Sequence, residues 1–335
     1  MIMPLAAAAA LAAAPLGATV DKIAADSGFA GEILIGKGDK IVLNNAYGAV
    51  APSGKAKHQV GAHWRLASIT KQVTATLFLK AMEEGRVPGS LDTPIDGLGD
   101  VTWRMLLTHR SGLPNPDETP KDAAGVPAFY NQPLTQAIAH CSSRPGKPGA
   151  DFAYNNCDYL VLGGAVMGRN LLADPQGWRG WPAGMTMARP GELGVPGFVA
   201  GKPEPRFRLD TFSTSGGLIG TARDVFRFDR QLMTGKLLSP AARALMWTAE
   251  GGRSYQALGQ WVFPGKLEGC ADPVQIVQRD GEIQGVQARN FILPDKDVAV
   301  VLFTNRSSDD FALGEVWQGK GFVYDLLSAA ACPTA

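Results

Sequence analysis

The sequence predicts a mixed α/β (α+β) fold in which one sheet is assembled from both ends of the chain and a mostly helical lobe is inserted between them. Three observations carry this reading. Strand-like runs sit near the N-terminus and crowd the last third. Helical spacing and Pro/Gly-rich loops fill the middle. At 335 residues, 45% hydrophobic and 19% charged, the chain can bury one large core or two lobes sharing an interface.

Taken in order, Met1 to Ala18 is an Ala-rich apolar run ending in small residues, which reads as a signal peptide lacking its positive start. A frayed helix is the alternative. Residues 31–48 read as a hairpin, with Glu32–Ile35 and Ile41–Leu43 as strands around Gly36–Asp39. Ser68 then precedes a helical pattern from Ile69 to Lys80 that stops near Gly85. From 86 to 212 short helical stretches alternate with loops, and 170–210 is the most loop-like part. Asp224 and Arg223 open a helix that includes Val225, Phe226 and Phe228. Val274–Gln278, Val286–Leu293 and Val298–Thr304 are β-rich, with Pro294–Asp297 a turn, and a last helix is expected over 313–331. The expected division is a sheet domain from 19–85 and 213–335 around an inserted lobe at 86–212, with a cleft at the junction.

Thirty-two Lys and Arg against 31 Asp and Glu give a charge of +1, too little positive excess for a nucleic-acid partner. No apolar run reaches convincing bilayer length. Cys141, Cys157, Cys270 and Cys332 contain no CxxC pair, which argues against zinc-finger or thioredoxin-like chemistry. One or two disulfides, or four buried thiols, remain open.

Ser68-Ile69-Thr70-Lys71 is an SxxK motif at a helix start, so Lys71 lies on the same helical face as Ser68. A lysine desolvated in a cleft loses its proton and can act as a base. By itself the motif is weak, since a Ser N-cap followed by an exposed Lys looks the same. Tyr154-Asn155-Asn156 supplies a phenol and an amide that project together from an extended segment. Trp178, Trp181 and Met185 could line a pocket for the substrate or simply cover core.

In combination these pieces are more specific. Arg65–Gln72, Leu106–Leu113 with His109, Tyr154–Asn156 and Ser215–Asp224 follow one another in an order and spacing that resembles the serine β-lactamase and penicillin-binding-protein-like family. The similarity is to the branch of class C β-lactamases, family VIII esterases and D-amino-peptidases, and runs from about Gly31 to Asn305. It implies an antiparallel sheet flanked by helices. It further implies Ser68 as nucleophile, Lys71 and Tyr154 as the proton-transfer pair, Asn156 as a substrate contact and His109 as structural. Acyl transfer by such a set requires no metal or cofactor.

Where relatives carry Lys-Thr-Gly or His-Thr/Ser-Gly, this chain has Arg279-Asp280-Gly281-Glu282. Gly281 suits close backbone approach. Arg279 keeps a positive charge but cannot shuttle a proton. Alternation puts Arg279 and Gly281 on one strand face and Asp280 on the other. Analogy with the family's Thr or Ser nevertheless sends Asp280 into the cleft, where with Glu282 it would repel a carboxylate. The expected activity is therefore a serine hydrolase acting on a small ester, amide or peptide, in the periplasm or outside the cell. The competing class is a penicillin-binding sensor that is acylated without turnover.

Overall fold

A computed structural model describes residues 15–142, 146–149, 151–167, 183–250 and 255–332. Most of the predicted signal run, together with Trp178 and Trp181, lies outside them. The chain opens with helix α1 (Leu16–Ser27) and the hairpin β1 (Gly31–Lys37) and β2 (Lys40–Tyr47). After β3 (Trp64–Arg65) comes α2 (Ile69–Glu83). The middle holds α3 (Trp103–Leu107), α4 (Leu134–Ala137), α5 (Asn156–Met167), and the two-residue strands β4 (Thr186–Met187), β5 (Phe198–Val199) and β6 (Lys202–Pro203). Next are α6 (Leu209–Gly216), β7 (Leu218–Gly220), α7 (Ala222–Met233) and α8 (Pro240–Met246). The last third contains β8 (Trp261–Gly265), β9 (Val274–Ile283), β10 (Val286–Leu293), β11 (Val298–Thr304) and α9 (Phe322–Ala331).

The main sheet has the order β2-β1-β11-β10-β9-β8, and every neighbouring pair is antiparallel. Strands from the two ends of the chain thus meet at β1 and β11. All seven residues of β11 are buried, because both faces of the sheet are covered. Ala299, Val301 and Phe303 join a core with α2 and α7, whereas Val298, Val300 and Leu302 join a second core with α1 and α9. Period-two alternation feeds both cores from one strand. A small sheet, β3-β7-β4, pairs Trp64 and Arg65 with Gly220 and Ile219 and anchors the turn that leads into α2.

One expectation is corrected. The C-terminal helix begins at Phe322, not near 313, because Gly319 and Gly321 sit at φ 65° and 99°, a left-handed backbone that no helix continues through. Leu16 to Ala18 lie in the first turn of α1. The thiols are paired, Cys141 with Cys157 and Cys270 with Cys332. No helix among the described residues is long and apolar enough to cross a membrane.

Candidate active site

Ser68 occupies the N-cap of α2, yet its hydroxyl makes no capping bond. The turn before it is strained, with Ala67 at φ 45°, a region costing an L-residue about 1–2 kcal/mol. This turn aims Oγ away from the helix and into a cleft. There it lies 2.5 Å from Tyr154 Oη and accepts from Lys71 Nζ at 3.2 Å. One helical turn brings Lys71 beneath the serine, fully buried. Its Nζ also donates to Asn156 Oδ1 and to the Ser215 carbonyl, both at 2.6 Å. An ordinary capping serine with a solvated lysine is thereby excluded.

Burial, reinforced by the nearby Arg279 charge, holds the Lys71 pKa well below that of a free lysine. Burial pushes the Tyr154 phenol upward, against the pull of Arg279 and the Ser68 hydrogen bond. A neighbouring cation by itself would favour the phenolate. Desolvation outweighs the neighbouring charge, so Tyr154 stands as a neutral phenol beside a lysine that readily gives up its proton.

β9 lines the other side of the cleft. Arg279 is fully buried; its Nε donates to the Ser68 carbonyl at 2.9 Å and its Nη2 to Tyr154 Oη at 3.3 Å. Its guanidinium also lies 4.9 Å from the Trp261 ring centre. A Cβ on Gly281 would come within 2.8 Å of the Leu66 carbonyl and the Ser68 nitrogen, so only glycine lets the strand approach the Ser68 backbone this closely. The Ser68 N–H, at the positive end of α2, is placed to receive negative charge building on a substrate oxygen.

Asp280 does not enter the cleft. It lies on the opposite face of β9, where it accepts from Gln278 Nε2 at 2.9 Å and pairs with Arg289 at 3.2 Å. Strand alternation prevails over the family analogy. Glu282, beyond it, is exposed and does line the cleft, with Oε1 accepting from the Ser308 N–H at 3.0 Å.

Two residues without a sequence signal complete the site. Tyr130, stacked on Phe212 with ring centres 3.8 Å apart, accepts from Asn156 Nδ2 at 2.7 Å and donates to Asp117 at 2.7 Å. Both oxygen and nitrogen of Asn156 are therefore engaged by protein groups, which makes it an organiser of Lys71. Asp117, Lys121, Tyr130, Phe212 and Glu282 wall a cavity of about 360 Å³ over Ser68. His109 is buried behind Tyr154, its ring 4.7 Å from the phenol and its Nδ1 3.0 Å from Asp158. Burial and the Arg279 charge hold it neutral, well below the usual histidine range. Met185 is fully buried in the α2-side core.

A family model described as Beta-lactamase matches residues 18–319. The chain belongs to the beta-lactamase family. Over 141 residues it is 32% identical to protein Flp of Staphylococcus aureus strain N315, an alignment covering 39% of this chain and 28% of that protein. Over 134 residues it is 29% identical to the D-alanyl-D-alanine-carboxypeptidase/endopeptidase AmpH of Escherichia coli K12, covering 36% and 34%. The matches thus span about a third or less of these relatives' lengths. Among solved structures, the D-amino acid amidase of Ochrobactrum anthropi SV3 superposes with a TM-score of 0.72 at 18% identity, covering 94% of this chain and 99% of that one. FmtA of Staphylococcus aureus gives 0.70 at 18% identity, covering 96% and 91%. Such identities establish a common fold for the family members.

Proposed function

We propose that the protein is a serine hydrolase working through an acyl-enzyme on neutral or cationic esters and amides, in an exported compartment. The observation that carries this is the contact of Ser68 Oγ with both Lys71 Nζ and Tyr154 Oη. Neutral Lys71 takes the Ser68 proton as Oγ attacks the substrate carbonyl. The carbonyl electron pair moves onto oxygen, opposite the Ser68 N–H. When it returns, the leaving group departs with the Tyr154 proton, and the proton held by Lys71 restores the phenol. Water, activated by the same pair, then cleaves the ester on Ser68.

Substrate charge follows from the cleft walls. Asp117 and Glu282 face Lys121 there, so a carboxylate-bearing β-lactam meets net negative charge at its rim. Glu282→Gln should raise kcat/KM for an anionic cephalosporin relative to a neutral ester, and added salt should shrink the difference. Asp280→Asn, on the far face, should leave that ratio unchanged.

The deciding experiment is intact-mass analysis after exposure to a fluorescent penicillin and to p-nitrophenyl esters. Turnover with a transient adduct, lost in Ser68→Ala, is expected. A persistent adduct on Ser68 would establish the trapping sensor instead, and labelling retained in Ser68→Ala would overturn the nucleophile.

A further inference from the structure

On the face of the sheet opposite Ser68 lies a second cavity, of about 510 Å³, within the range of small-ligand sites. Its walls are aromatic. Phe263 stands 6.0 Å from Tyr255 and 6.3 Å from Trp317, centre to centre, and Trp261 closes a further side. Trp317 is 71% exposed and Tyr255 51%, far more than such rings show when they serve only to fill a core.

The floor is acidic. Asp280 and Glu315 share one guanidinium on this face, Arg289, at 3.2 and 3.8 Å. Gln278, 2% exposed, donates its amide NH2 to Asp280, and its Oε1 has no hydrogen-bond partner. Glu315 Oε2 is likewise without a partner. One guanidinium thus serves two carboxylates, and Gln278 Oε1 and Glu315 Oε2 are left unfilled under aromatic faces, so the floor has acceptors for a second cation.

The geometry points to this cavity as a binding site for an organic ammonium ion, held by the faces of Trp261 and Trp317 and by the carboxylates of Glu315 and Asp280. The site is separate from the catalytic cleft, since Gln278 and Asp280 project from β9 away from Arg279 and Gly281. Trp261 touches both regions: it lines the cavity, and the Arg279 guanidinium stacks on its ring. An occupant that fixes this ring therefore also fixes the guanidinium bonded to Ser68 and Tyr154.

Choline and its uncharged carbon isostere dimethylbutanol are the probes, titrated calorimetrically into the intact protein and into Glu315→Gln and Trp317→Ala. Neither residue touches the cleft, so ester turnover reports that the variants are folded. Saturable binding of choline, absent for the isostere and weakened at least tenfold in both variants, is expected. The same binding should persist in Ser68→Ala, which separates this site from the hydrolase reading. No saturable binding, equal binding of the two probes, or binding unchanged in Glu315→Gln and Trp317→Ala would overturn the assignment.

Discussion

The proposed mechanism turns on Lys71. Its depressed pKa arises first from burial and then from Arg279, so it is deprotonated at a pH where a free lysine is charged. Acylation should accordingly lose rate as pH falls through that depressed value, while the alkaline side stays flat. Arg279→Gln removes a positive charge that lowers the Lys71 pKa, so the acid limb should move to higher pH. A fall in rate with the limb unmoved would mean that Arg279 acts on the substrate alone. Lys71→Ala and Tyr154→Phe should each cost several orders of magnitude, with the double variant little worse than either single one, because members of one catalytic unit do not add. Losses that simply multiply would show that the two act independently.

At the scale of elements, α2 and β9 must be held face to face. Gly281→Ala should push the strand away from Ser68, lowering kcat/KM at least tenfold, with overpacking costing about 1–3 kcal/mol of stability. Unchanged kinetics would mean that the close approach is incidental. Spacing made part of the site legible, since SxxK does lie on one helical face, but Tyr154-x-Asn156 is not one extended run: Tyr154 precedes α5 and Asn156 opens it. Alternation along β9 also separated Asp280 from Arg279, and the error came from letting analogy override it. Asp117 and Tyr130 were invisible because they stand in short 3-10 turns, Pro116–Glu118 and Ala128–Asn131, with no periodic pattern. β8 escaped notice because Pro264 and Gly265 read as breakers, although an edge strand tolerates both.

Two disulfides act on the whole molecule. Cys141–Cys157 closes a separation of 16 residues and fixes the start of α5, next to Asn156. Losing a crosslink of that span should cost about 3 kcal/mol by loop entropy. Replacing both cysteines with Ser should therefore lower the Tm and weaken acylation together, and a fall in Tm with normal acylation would detach the staple from the site. Export to an oxidising compartment would suit such bonds. Removal of residues 1–14 should leave folding and activity intact, whereas a cut that also removes Val20 and Ala24 strips α1 from α9 and should destabilise the fold. Equal stability for the two truncations would show that α1 is dispensable.

The sheet is also a partition, and β9 is a panel shared by two rooms. Point substitutions at 281 alter the cleft and those at 278 or 280 alter the outer cavity, so a lineage can retune either chamber by itself, whereas 279 reaches both through Trp261. Losing a single codon between Val274 and Val277 has no such privacy. It would slide every later side chain of the strand onto the wrong face, setting a carboxylate beside Ser68 and a guanidinium beside Glu315. Drift in β9 is thus open to replacement and closed to changes of length.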